Sequence, residues 1–114
     1  MTPSLDARLR HLQPGLDAIP PVERSVTDGE LRETRQFRGL TLEQAFGYLE
    51  NLGGERRGDR EVVGEGWRAE LSSRRIPVGP TFRLTSVRIT WTGDPDVLEP
   101  LILRFRLKAY RAPG

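Results

Sequence analysis

Residues 41–71, TLEQAFGYLENLGGERRGDREVVGEGWRAEL, constrain the fold of this chain more than any other part. Thr41 stands three residues before Gln44, the spacing of a capping box in which the Thr hydroxyl and the Gln side chain each satisfy an orphan backbone N–H. Leu42, Ala45, Phe46, Leu49 and Leu52 then recur at i, i+3, i+4 and i+7, one apolar stripe of a helix. Gly53 and Gly54 end it, because glycine accepts the left-handed conformation after a helix without a Cβ clash. Glu61–Val63 and Trp67–Leu71 read as strands joined tightly through Gly64, Glu65 and Gly66. In the second of these, Trp67, Ala69 and Leu71 alternate with Arg68 and Glu70, the period of a half-buried strand.

The flanking elements follow from the same logic. Gln36–Leu40 reads as a short first edge strand with Phe37 inward, and Glu55–Arg60 as a turn or frayed strand start. Ser72–Pro80 reads as a connection, since Pro77 and Pro80 cannot donate to a ladder. The longest strand runs from Thr81 to about Thr92. Its apolar parity changes between Phe82/Leu84 and Val87/Ile89/Trp91, which predicts a bulge near Thr85 and Ser86. Asp94-Pro95-Asp96 opens the last element, where Asp96 and Glu99 suggest a second capping box, with a regular helix mainly from Pro100 to about Tyr110 and a buried stripe of Leu98, Leu101, Ile102, Phe105 and Ala109. Arg104, Lys108 and Arg111 suit its negative end.

Together these elements predict an α+β domain over residues 35–114, an antiparallel sheet with two helices packed on one face. Residues 1–34 carry Pro3, Pro14, Pro20 and Pro21 and few apolar residues. They read as a loosely ordered N-terminal extension whose only helical spacing is Leu5, Leu9, Leu12 and Leu16.

Composition narrows the chemistry. Among 114 residues there is no cysteine, which excludes disulfides, thiolate metal sites and cysteine nucleophiles. His11 is the single histidine and Lys108 the single lysine. The sequence contains no P-loop, no dinucleotide fingerprint and no nucleophile elbow. Gly64-x-Gly66 sits between two strands rather than before a helix, so it reads as a hairpin and not as a phosphate loop. Glu55, Asp59, Glu61, Glu65 and Glu70 are interleaved with Arg56, Arg57, Arg60 and Arg68, a self-neutralising surface. No catalytic residue, metal site or cofactor is expected.

Arginines at 56, 57, 60, 74, 75, 83 and 88 could form a basic strip on the sheet or its loops. Guanidinium forks match phosphate and carboxylate. Nucleic acid would also require exposed aromatics for stacking, and Trp67, Phe82 and Trp91 occupy core-like alternating positions; nucleic-acid binding through an arginine-bearing sheet face is therefore a second alternative and not the expected role. The candidate surface or ligand contacts are Arg68, Arg83, Arg88, Trp67 and Trp91. An edge strand such as Gln36–Leu40 could pair across a two-fold into a homodimer. No apolar run approaches bilayer length and the N-terminus lacks an apolar signal core, so a soluble cytoplasmic protein is the expectation.

The stretch LEQAFGYLENLGGERR, the following VVGEGWRAEL, the VGP turn, the long strand and the end in KAYRAPG resemble the C-terminal domain of MoaD-related proteins, relatives of the small subunit of molybdopterin synthase. The resemblance covers roughly the last 75–80 residues, the size of one small folding unit. It implies a TATA-binding-protein-like, helix-grip arrangement. It also implies a non-catalytic accessory role beside molybdopterin synthase or a related ubiquitin-like sulfur carrier. Binding of a small anionic or apolar ligand between helices and sheet is the first alternative that such a fold suggests. The thiocarboxylate-forming Gly-Gly tail of the ubiquitin-like module has no counterpart in Ala112-Pro113-Gly114, and Gly53-Gly54 reads as a helix stop.

Overall fold

A computed structural model describes residues 22–77, 79–81 and 83–111. His11, the Leu5–Leu16 spacing, Phe82 and Ala112–Gly114 lie outside the described residues. The chain order is β1 (Glu23–Thr27), β2 (Glu30–Arg38), α1 (Leu42–Asn51), β3 (Glu55–Arg57), β4 (Glu61–Gly64), β5 (Trp67–Pro77), β6 (Arg83–Gly93) and α2 (Pro95–Arg111). The strands form one sheet in the order β1-β2-β6-β5-β4-β3, antiparallel at every pairing. Both helices pack on one face, so the α+β reading holds, and a helix-grip arrangement is compatible with it.

α1 forms where its local signals place it. Gln44 N donates to Thr41 Oγ1 at 3.1 Å and Thr41 N donates to Gln44 Oε1 at 2.9 Å, the two halves of a capping box. At the other end Gly53 N donates to Glu50 O and Gly54 N to Leu49 O, both at 3.0 Å, with Gly53 at φ 101°. These are the paired bonds of a Schellman stop. Between them Ala45, Phe46 and Leu49 are buried.

The sheet begins earlier than the sequence suggests. Residues 23–34, read as part of a loose extension, are the β1–β2 hairpin. Its two-residue turn has both central residues at positive φ, Asp28 at 52° and Gly29 at 77°, the turn whose twist matches that of paired strands. β1 is exposed along its whole length, so burial left no apolar pattern to read. Gln36–Arg38 is accordingly the end of a nine-residue strand second from the edge, not a first edge strand. β3 makes a three-residue edge strand of Glu55–Arg57.

β5 and β6 also differ from expectation. β5 continues through Ser72–Pro77, and every residue of it is paired with β6 from Trp67↔Gly93 to Pro77↔Arg83. The register runs through Thr85 and Ser86 without a bulge. The parity change arises because Val87, Ile89 and Trp91 face the helices. Leu84 faces the other way and pairs with Ile76 on a ribbon that extends past the core. α2 begins at Pro95, five residues before the expected start. Asp94, not Asp96, is its cap: Asp96 N donates to Asp94 Oδ1 at 2.9 Å, and Leu98 N to Asp94 O at 2.8 Å. Pro95 occupies the first helical position, where its missing N–H costs nothing. Pro100 lies inside the helix.

The core fills the space between the helices and the sheet. Phe105 of α2 is its hub, with ring centroids 5.0 Å from Phe37, 5.4 Å from Trp91 and 5.9 Å from Tyr48, all edge-on. Leu31, Val62, Ala69, Val87 and Ile89 complete the sheet side, and Leu98, Leu101 and Ile102 the helix side.

Candidate functional site

The two sheet faces carry different chemistry because side chains alternate along each strand. Odd-numbered positions of β2, β5 and β6 face the helices where these cover the sheet, and even-numbered ones face outward on a sheet surface that neither helix covers. Trp67 and Trp91 belong to the first set. Trp91 is wholly enclosed and Trp67 is 6% exposed, so neither is offered as a stacking platform. Arg68 and Arg88 stand on the open face. Arg83 pairs with Pro77 at the far end of the ribbon, away from both.

Across the open face, Glu23, Thr34, Thr90, Glu70 and Glu61 are successive cross-strand partners in one row over five strands. Thr34 Oγ1 and Thr90 Oγ1 lie 3.0 Å apart at the centre of the row. Arg32 flanks the row on one side; Arg88 and Arg60 flank it on the other. These side chains line a trough of about 580 Å³. Arg88 Nη2 lies 3.9 Å from Glu23 Oε1; Arg32 and Arg60 have no ion-pair partner among the described residues. A smaller hollow of about 150 Å³, lined by Gln36, Ser72, Ser86 and Arg88, continues it toward the ribbon. No aromatic side chain of β1–β6 described here faces this surface, which removes the stacking half of a nucleic-acid platform.

A second concavity of about 340 Å³ lies on the helix side, between the end of α1, the β4–β5 turn and the first turns of α2. Leu52, Trp67, Val97 and Leu101 give it an apolar wall, and Glu65 and Arg104 stand at its margin. It is an open cleft beside Trp67. Phe105, which would line an enclosed cavity of the helix-grip kind, is instead closed in by three aromatic rings.

The third feature is the outward side of α2. Leu103, Leu107 and Tyr110, at i, i+4 and i+7, are 53%, 47% and 69% exposed. Arg104 and Lys108 border them, and the Arg106 guanidinium lies 5.9 Å from the Tyr110 ring. The inward stripe was plain in the sequence; this outward one was missed, although the same spacing rule read from Leu103 would have found it.

On the core face a buried carboxylate is held by cations. Glu33, 2% exposed, accepts from Arg35 Nε at 2.6 Å and from Arg24 Nη1 at 3.0 Å, and Arg24 also bonds Glu99 of α2. The hydrogen bond to Glu99, ahead of the charge of Glu33, raises the Arg24 pKa above its ordinary value. Among the described residues no group of three or more His, Asp or Glu is placed to hold a metal ion, and no helix is long and apolar enough to cross a membrane.

A search among curated proteins found no match. The model of the archaeal MoaD-like protein family matches residues 33–114, well over half of the chain, from within β2 through α2. β1 and its turn lie before the matched range. The chain belongs to the archaeal MoaD-like protein family.

Proposed function

We propose that this protein is a cytoplasmic, non-catalytic accessory domain of molybdopterin synthesis or sulfur transfer, and that it docks a protein partner through the outward side of α2. The family supplies the setting. The observation that carries the docking surface is the exposed stripe Leu103, Leu107 and Tyr110. Single exposed leucines are ordinary, but three large apolar side chains aligned on one helix face present a continuous surface that water solvates poorly. Amphipathic helices engage partners through this spacing. Arg104 and Lys108 beside the stripe favour a partner whose contact surface is apolar at the centre and acidic at the rim. A ubiquitin-like sulfur carrier or molybdopterin synthase itself is the partner that the family context points to.

Calorimetry of the full chain against the purified large and small subunits of molybdopterin synthase tests this. Saturable binding is expected, weakened at least about tenfold by Leu107→Asp with no loss of thermal stability. Absence of binding to both subunits, or equal binding by Leu107→Asp and Leu103→Asp, would remove the proposal.

A further inference from the structure

The trough on the open sheet face holds charges of both signs, and Arg32, Arg60, Glu61 and Glu70 among them have no ion-pair partner among the described residues. Glu61 and Glu70 are direct cross-strand partners, and no cation bonds either of them among the described residues. Like charges placed opposite each other on neighbouring strands destabilise a sheet. In the same concavity Arg32 has no carboxylate partner among the described residues, and Arg88 has only a loose 3.9 Å approach to Glu23. Arg32 precedes Thr34 by two residues on β2, and Arg88 precedes Thr90 by two residues on the antiparallel β6. The two arginines therefore stand on opposite sides of the threonine pair. When the two hydroxyls bond each other, one hydroxyl hydrogen is used and the other remains to donate.

We propose that this trough binds a small zwitterion. Its oxyanion, a phosphate or a carboxylate, sits over Thr34 and Thr90 between Arg32 and Arg88. Its amine reaches along the row to Glu70 and Glu61. Each guanidinium presents a fork of donors that fits an oxyanion, and the remaining threonine donor adds a bond from below. An ammonium group between Glu70 and Glu61 turns a repulsive pair into two charge-assisted hydrogen bonds. The site lies on the face opposite α2, so it stands or falls independently of partner docking.

The test is a nuclear magnetic resonance titration of the full-length 15N-labelled protein with four probes: O-phosphoethanolamine, β-alanine, inorganic phosphate and ethanolamine. The two zwitterions separate a phosphate from a carboxylate as the anionic end. Saturable shifts of the Thr34, Glu70 and Thr90 amides are expected with at least one zwitterion. That zwitterion should bind at least about tenfold more tightly than phosphate or ethanolamine. Arg32→Gln with Arg88→Gln should weaken it about tenfold or more, and Glu70→Gln should weaken it while leaving inorganic phosphate unaffected. Unchanged thermal unfolding of each variant shows that the fold is intact. The proposal fails if no probe shifts these amides up to about 20 mM, if phosphate binds as tightly as the zwitterions, or if the variants bind like the parent.

Discussion

The indole of Trp67 lies against Gly64, its cross-strand partner, so closely that a methyl group on Gly64 would overlap Nε1 and Cε2 of the ring. A Cβ on Gly54 would likewise meet Val62 Cγ1 and come within 2.8 Å of Trp67 Cη2. The glycines around this tryptophan are thus the space it occupies. They leave room for a large ring in the corner between the α1 stop and the β4–β5 hairpin, at one end of the core.

Substitution at these glycines separates steric need from chain flexibility. Gly64→Ala should destabilise by about 1–3 kcal/mol, the range for overpacking a tight site, because the ring has a strand on one side and core on the other. Gly47→Ala should do the opposite. Gly47 lies inside α1 with nothing within 4 Å of an added Cβ, and alanine there gains about 0.5–1 kcal/mol of helix propensity. Urea unfolding of the two variants checks both signs. Equal effects would mean that the contact with Trp67 does not set the identity of residue 64.

The helix caps give a second pair of expectations. Thr41→Ala breaks one half of a capping box and should cost about 1 kcal/mol. Asp94→Ala removes the acceptor for Asp96 N at the start of α2 and should cost a similar amount, about 1 kcal/mol. By contrast Asp96→Ala, at the position that the sequence suggested as the cap, should change stability by less than about 0.5 kcal/mol. Thermal melts of the three variants distinguish the two cap assignments for α2.

These caps also show what the sequence could reveal. α1 was legible because every signal for it is local: Thr41 and Gln44 at the start, a stripe facing one way, Gly53 at the stop. The inward stripe of α2 was legible for the same reason, but Pro100, which a regular helix tolerates best in its first turn, placed the start of that helix five residues late. β1 and the outer half of β5 were harder still. Ser72–Arg75 and Glu23–Thr27 pair by backbone hydrogen bonds and bury little, so no apolar alternation marks them. The Asp28-Gly29 turn was the available clue to the first hairpin. The trough was invisible for a different reason. Arg32, Thr34, Glu70 and Arg88 meet only through the register of β2, β6 and β5, and that register is a tertiary fact.

Glu33 stands on the core face beside two arginines. Its carboxylate is buried on the helix side of the sheet, opposite Trp91, and is bonded by Arg24 and Arg35. Arg24→Met combined with Arg35→Met leaves that carboxylate buried with neither cation. Removing both cations should destabilise the fold, because the buried carboxylate has lost water and gained nothing in return. Adding Glu33→Leu to the double variant should restore most of the loss, since an apolar side chain of similar bulk has no charge to desolvate. Urea unfolding of the double and triple variants makes the comparison. If the triple variant is no more stable than the double, the arginines stabilise this corner by packing their stems, and the ion pairs are incidental to it.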